Sequence, residues 1–246
     1  MGYIRDLAGI KNKENKELRK HFLLRSASLD KPTNEQVKYL NDIKLKRIFD
    51  LRNEEEANYD PDITIEGCTY YNYSLIDSDL NGVTHQNKKK QLMMLKELET
   101  MKECYVGMFE DDFALKNIKA VINKIVKEDG FPTIVHCATG KDRAGVVTML
   151  LLTILDFDYN VILEDYMKQK KMYIPTAFKY GILAFLGSGD VKLAKKAYDY
   201  FAIRKEFLDA SIDTINRKFG SLELFIKNYI GLTEKDIIKF KEKVLQ

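Results

Sequence analysis

Residues 144–155 read Ala-Gly-Val-Val-Thr-Met-Leu-Leu-Leu-Thr-Ile-Leu, with no charged group among them. A helix of that composition is apolar nearly all round, so it has to lie in the middle of a domain with other elements packed on every side. It is too short for a bilayer, which takes about 20 apolar residues. Upstream, Gly130-Phe131-Pro132 punctuates the chain and Thr133-Ile134-Val135-His136 forms a short apolar run. A strand over 133–136, a tight glycine-containing loop and a buried helix over 143–156 are therefore expected in succession.

The flanking sequence supplies partners for that unit. Residues 1–20 are polar and mixed and are expected to be irregular, and His21–Ser26 reads as an edge strand. Thr33 with Gln36 three residues on is a capping box, predicting a helix whose face carries Val37, Leu40 and Lys44. Residues 46–51 read as a strand, Glu54-Glu55-Glu56 suits the first turn of a short helix, and 69–76 is a tyrosine-rich strand. Residues 77–87 read as a surface loop. Met94, Leu98, Met101 and Tyr105 recur at helical spacing, as do Leu115, Ile118, Ile122 and Ile125.

Farther on, 159–202 predicts one or two helices interrupted at Pro175 and at Gly187-Ser188-Gly189. Leu208, Ile212, Ile215 and Phe219 mark another helix closed by Gly220, and Ser221 and Thr233 are N-caps of two short ones. Strands alternating with helices, then helices to the end, predict the α/β class: a small, mostly parallel central sheet flanked by helices, with a helical C-terminal half. At 246 residues and 45% hydrophobic content, one domain over 1–246 is long enough to bury that core.

Composition narrows the function classes. A net charge of +3 is too near neutral for a chain built mainly to neutralise nucleic acid, so no nucleic-acid partner is expected. Lys88–Lys90 and Lys168–Lys171 read as solvated helix faces, with anionic substrates or lipid headgroups as the minority alternative. Cys68, Cys104 and Cys137 are too few for a disulfide framework, and His21, His85 and His136 too few for a zinc site. Met-Gly-Tyr-Ile-Arg-Asp has no apolar signal core, so a cytoplasmic protein with no stable membrane insertion is expected, export to a host staying open. The oligomeric state is not legible.

Chemistry concentrates between strand and buried helix. Five residues separate Cys137 from Arg143, placing a thiol and a guanidinium at the ends of one phosphate-sized loop. Backbone N–H groups of such a loop converge into an anion-binding concavity, and the helix N-terminus adds partial positive charge. The groups that bind phosphate also stabilise a thiolate. Arg143 presents a planar fork for two phosphoryl oxygens, which lysine does not. The matching reaction is nucleophilic phosphoryl transfer through a cysteinyl-phosphate. Asp142 is the nearest carboxylate to supply the leaving group's proton, with Asp77, Asp79, Asp111 and Asp112 as alternatives. The loop and Arg143 already supply the positive charge, so neither metal nor cofactor is implied. The bland alternative makes Cys137 a structural thiol and Arg143 a helix cap.

His136-Cys137-Ala138-Thr139-Gly140-Lys141-Asp142-Arg143-Ala144-Gly145 resembles the H-C-x-x-G-K-D-R-[TS]-G signature of atypical bacterial tyrosine and dual-specificity phosphatases. Members from mycobacteria and Listeria also act on phosphoinositides. Tyr3-Ile4-Arg5-Asp6-Leu7-Ala8-Gly9 is similar to that family's opening, Leu24-Arg25-Ser26 to its [FY]-R-S element, and Asp50-Leu51-Arg52 followed by Glu55 to its D-L-R-x-x-x-E segment. The resemblance also reaches Glu206-Phe207-Leu208 and Gly231-Leu232-Thr233. It implies a phosphatase-like fold, Cys137 as nucleophile, Arg143 as phosphate clamp and Asp142 as general acid. Ala138, Thr139, Gly140, Lys141 and Ala144 become substrate-binding candidates. His136 is expected to support the nucleophile with its side chain turned away from the pocket, and Asp50 and Arg52 to fix the strand end. Phosphorylated proteins, above all phosphotyrosine proteins, are the expected partners. Phosphoinositides, a non-catalytic phosphate reader and a rhodanese-like sulfur transferase are the other readings. Some relatives carry a helical lid, a role 159–203 can fill. Ala144 departs from the family, which has Thr or Ser there to help the sulfur leave.

Overall fold

The computed structural model describes residues 3–76 and 99–246. The loop expected over 77–87, Asp77 and Asp79 within it, His85, Lys88–Lys90, Met94 and Leu98 lie outside these residues.

Five strands form one sheet in the order β1-β2-β5-β3-β4: β1 (Ile4–Asp6), β2 (Leu23–Ser26), β3 (Arg47–Asp50), β4 (Thr69–Asn72) and β5 (Thr133–His136). Only β1 runs antiparallel to its neighbour; the other pairings are parallel. The expected mostly parallel sheet is therefore present, with two corrections. Residues 4–6 form a strand rather than irregular chain, and β2 lies inside the sheet between β1 and β5. Three mixed residues carry too little period-two pattern to be read as a strand, and without β1 the β2 segment looks like an edge.

Register sets the working end of the sheet. Ser26 and Asp50 both sit opposite His136, so the chains leaving β2, β3 and β5 emerge together at the carboxyl edge. Ligands gather at such an edge in open α/β sheets. Alternation divides the faces. Leu24, Ile48 and Ile134 pack with Leu29, Leu40, Leu45 and Ile65 under α1 (Asn34–Asp42). Leu23, Phe49 and Val135 join the larger core on the opposite face.

That larger core is built by α3 (Met101–Glu110), α4 (Asp112–Lys127), α5 (Arg143–Ile154), α6 (Tyr159–Met167), α9 (Lys205–Phe219) and α10 (Glu234–Val244), with a π-helical segment Phe225–Ile230 before α10. Helix α5 is the expected buried helix: all its residues except Thr153 are buried. The capping boxes at Thr33 and Thr233 are both formed, and Gly220 closes α9 in the left-handed region. Asp111 and Asp112 belong to the start of α4, where Asp111 accepts the Phe113 N–H.

Residues 159–202 hold three helices rather than one or two: α6, α7 (Lys170–Ser188) and α8 (Val191–Phe201). Pro175 does not interrupt α7. It forfeits only one backbone bond, to the Lys171 carbonyl, near the exposed start of the helix. One break falls at 168–169 instead; the other falls at Gly189-Asp190, at the end of the expected Gly187-Ser188-Gly189 interruption, where Gly189 is left-handed and Asp190 caps α8.

Candidate active site

The loop after β5 is held open by its carbonyls. Ser28 N–H donates to the Ala138 carbonyl at 3.4 Å, Tyr173 Oη to the Thr139 carbonyl at 2.5 Å, and Tyr3 Oη to the Gly140 carbonyl at 2.7 Å. In a planar trans peptide the C=O and the following N–H point opposite ways. Pinning three consecutive carbonyls outward therefore turns the N–H groups of Thr139, Gly140 and Lys141 inward. The Gly140 N–H lies 3.2 Å from Cys137 Sγ, a direct donor to the buried sulfur. A concavity of aimed amides at a helix N-terminus is an anion site.

Gly140 makes the turn feasible. Its φ is +69°, and a Cβ there would sit 2.3 Å from the Ser26 carbonyl oxygen and 2.6 Å from Tyr3 Oη. Left-handed strain and the clash together predict that Gly140→Ala lowers stability by roughly 2–4 kcal/mol. Urea unfolding with and without vanadate checks this: both the midpoint and its shift by vanadate should fall, and a variant as stable as wild type would contradict it.

Two buried networks carry the pins. Arg25 Nε lies 3.4 Å from Tyr3 Oη and its Nη2 donates to Gln169 Oε1 at 2.9 Å. Arg5 clamps Asp165 through both guanidinium nitrogens at 2.5 and 2.6 Å, tying β1 to α6. Tyr3, Arg5, Gln169 and Tyr173 were not singled out for a role from sequence; Tyr3 and Arg5 lie within the opening element that resembles the family.

Arg143, the first residue of α5, is nearly buried and faces α2 (Glu54–Tyr59). Its Nη1 bonds Glu56 Oε2 at 2.5 Å and the Leu51 carbonyl at 3.3 Å, and its Nη2 bonds Glu56 Oε1 at 2.9 Å. Burial opposes both charges, yet the mutual bond outweighs it: the guanidinium pKa is raised and that of the Glu56 carboxyl lowered. The partner acid is Glu56, not Glu55, which is exposed. Counting D-L-R-x-x-x-E from Asp50 ends at 56. Glu56 is also held as the third residue of a capping box with Asn53.

Asp142 turns away from its helix and makes no cap bond. Lys141 Nζ reaches its two carboxylate oxygens at 2.9 and 2.7 Å, and Tyr105 Oη donates to Oδ1 at 2.7 Å. Tyr105 and Tyr166 hydroxyls are themselves 2.7 Å apart. Burial first, and then the Asp142 charge, push the Tyr105 phenol well above its usual value, so it stays a donor. Lys141 is buried against Asp142 rather than projecting toward bulk solvent. Ala144 is buried in the first turn of α5.

His136, Asp50 and Arg52 lie behind the loop, on the face opposite Val135 and away from Cys137. Arg52 binds Asp50 and Asp62 at 2.8 and 2.9 Å, and Tyr70 donates to Asp50. His136 Nε2 lies 2.7 Å from Asp62 Oδ2 without hydrogen-bond alignment. Asp62 was missed from sequence; no local motif marks it. Asp50, Asp62 and His136 bring three ligand atoms within 4.8 Å of one another. Both carboxylates already pair with the Arg52 guanidinium and Tyr70 donates to Asp50, so these residues are held together as an ion-pair cluster.

The sequence pattern of the tyrosine phosphatase family matches residues 3–246. The chain belongs to that family. It is similar to the triple specificity protein phosphatase PtpB of Mycobacterium tuberculosis, 26% identical over 125 residues, covering 47% of this chain and 45% of that protein. The chain thus spans less than half the length of PtpB. It is also similar to a tyrosine-protein phosphatase of Nostoc commune, 23% identical over 225 residues, covering 91% of this chain and 74% of the relative. A remote structural likeness exists to the core catalytic domain of the PP-IP phosphatase SIW14 from S. cerevisiae, with a TM-score of 0.35 at 14% identity, covering 65% of this chain and 77% of that one. For this tyrosine phosphatase family member, the matched span includes both the loop and Tyr3, which pins it.

Proposed function

We propose that this chain hydrolyses phosphate monoesters, phosphotyrosine on proteins first among them, through a cysteinyl-phosphate intermediate. The carrying observation is the Gly140 N–H aimed at the buried Cys137 Sγ in a loop whose Ala138, Thr139 and Gly140 carbonyls are each held by a donor from outside it. The Cys137 thiolate attacks phosphorus in line with the leaving phenol, the P–O bond breaks, and Asp142 delivers the proton that the phenolate takes up. Water then attacks the phosphocysteine, gives its proton to Asp142, and the sulfur leaves as thiolate. Arg143 holds the phosphoryl group. Glu56 and Leu51 take three of its five N–H groups, so Nε–H and the second Nη2–H form the edge for two phosphoryl oxygens. Tyr105 and Lys141 hold the Asp142 carboxyl in place. Helices α7 and α8 act as a cover: Tyr173 of α7 touches the loop, and Tyr200 of α8 lies within electrostatic reach of Arg143.

A panel of phosphotyrosine and phosphoserine peptides and phosphoinositides tests this reading. Vanadate-sensitive phosphate release is expected, fastest from phosphotyrosine. Release from no substrate would remove the enzyme, leaving a phosphate reader; preference for the lipids would make them the substrate instead.

Ala144 adds a rate prediction. Without a hydroxyl to support the departing sulfur, breakdown of the phosphoenzyme is the slow step. Ala144→Thr is expected to speed it by ~10-fold, the worth of one well-placed hydrogen bond. Rapid-quench single-turnover measurements read it directly, and an unchanged dephosphorylation rate counts against it.

A further inference from the structure

Among the described residues, nine of the fourteen exposed large apolar side chains belong to the α7–α8 hairpin. Leu186 and Val191, 75% and 70% exposed, flank its turn, with Ile182, Leu183 and Phe185 just behind. The reason is visible in the packing. The residues the two helices bury are small, Ala177, Gly181 and Ala184 on α7 and Ala197 on α8, with Leu193 the one large buried group. A Cβ on Gly181 would lie 3.3 Å from the Ala194 carbonyl and from Tyr198 Cβ. Close approach along this narrow seam leaves the bulky apolar side chains of α7 pointing outward. Near the base, Phe178 and Tyr180 find ring partners in Tyr198 and Phe201. Apolar area gathered this densely on a monomer's surface marks an interaction site.

Charge selects the occupant. Residues 170–201 contain six lysines and two aspartates, a net +4, against +3 for the whole chain, so the remaining 214 residues sum to −1. Both aspartates are engaged: Asp190 caps α8 and Asp199 pairs with Arg204 at 2.6 Å. Lys179, Lys192 and Lys195 are exposed on the segments that carry the apolar tip. An apolar end with the ammonium groups of Lys192 and Lys195 beside it and Lys179 behind it suits the boundary between acyl chains and anionic headgroups, where the stems lie along the apolar region and the charges reach the phosphates. A second copy would bring two +4 surfaces together. No helix among the described residues is long and apolar enough to cross a membrane, so the contact is interfacial.

We propose that the tip of the α7–α8 hairpin is an interfacial anchor that seats this protein on anionic membrane surfaces. The proposal does not depend on what the catalytic loop hydrolyses. Flotation of the full chain with phosphatidylcholine vesicles, with and without 30% phosphatidylserine (about that of a strongly anionic leaflet), tests it. Binding at least ~10-fold tighter to the anionic vesicles is expected. The double change Leu186→Glu and Val191→Glu should abolish it, and each of Lys192→Ala and Lys195→Ala should weaken it by ~5-fold. Unchanged thermal melting of the variants shows that they fold. Absent or equal binding to the two vesicle types overturns the proposal, as does binding that survives the glutamates. A concentration-dependent dimer dissolved by the glutamates, with no vesicle binding, overturns it in favour of a second copy.

Discussion

Replacing Cys137 with serine is expected to lower turnover of an aryl phosphate by ~10⁴-fold or more while leaving affinity for a phosphotyrosine peptide within a few-fold of wild type. The separation follows from how the loop is built. Its amides are aimed by Ser28, Tyr173 and Tyr3, none of which acts through the sulfur. On the proposed mechanism serine therefore keeps the nest and loses the nucleophile, because an alcohol is far less readily ionised than a thiol. Steady-state kinetics and peptide titration calorimetry on one preparation give both numbers. Loss of affinity equal to the loss of turnover would mean that the sulfur organises the loop, and the carbonyl-pinning account would fail.

Arg143→Lys should cost about 10³-fold in kcat/KM, since an ammonium cannot offer two parallel donors to the phosphoryl group. Arg143→Ala adds a stability loss by stranding Glu56. The side chains are 10% and 34% exposed, so solvent screens part of the pair and about 1–3 kcal/mol is expected. Glu56→Gln is the informative partner. Burial pushes the Glu56 carboxyl up, but Arg143 outweighs it and its pKa lies below the ordinary value. A carboxyl depressed in the folded state stabilises above its unfolded pKa, about 4.3 for glutamate, and that contribution is lost as pH falls through the folded value. Asp50 is lowered as well: burial opposes its charge, while His136 and Arg52 prevail. The chain should lose stability below about pH 4, and Glu56→Gln should flatten that acid limb. Melting temperatures of both proteins between pH 3 and 7 (roughly the range bracketing carboxyl titration) give the comparison; parallel curves would show that the Glu56 pair carries no acid-labile stability.

Features with a local cause were readable from sequence. The buried helix announced itself by lacking a polar face, and the loop by a thiol, a glycine and an arginine at fixed spacing. Thr33 declared a helix start through Gln36 three residues on, and Thr233 declared one as an N-cap. Long-range geometry was not readable. Tyr3 meets Gly140 across 137 residues and Glu56 meets Arg143 across 87, and no periodicity encodes such meetings. Lys141 looked like a hand extended to substrate, yet it is folded onto Asp142, because one-residue spacing says nothing of rotamer. Strand β1 was invisible for a related reason: three residues become a strand only because β2 is already there to pair with them.

Helix α5 has almost no contact with water along its length, so mobile ions cannot gather beside it. Its dipole and the amide nest at its head should therefore act on a bound phosphoryl group almost independently of ionic strength. Lys179, Lys192 and Lys195 of the hairpin stand in the opposite situation, exposed to counterions. Raising salt toward ~0.5 M, where the Debye length shrinks to about 4 Å, should strip the protein from an anionic surface while barely touching hydrolysis of a small soluble ester. Ionic strength thus becomes a dial that moves where the protein sits without changing what its loop can do.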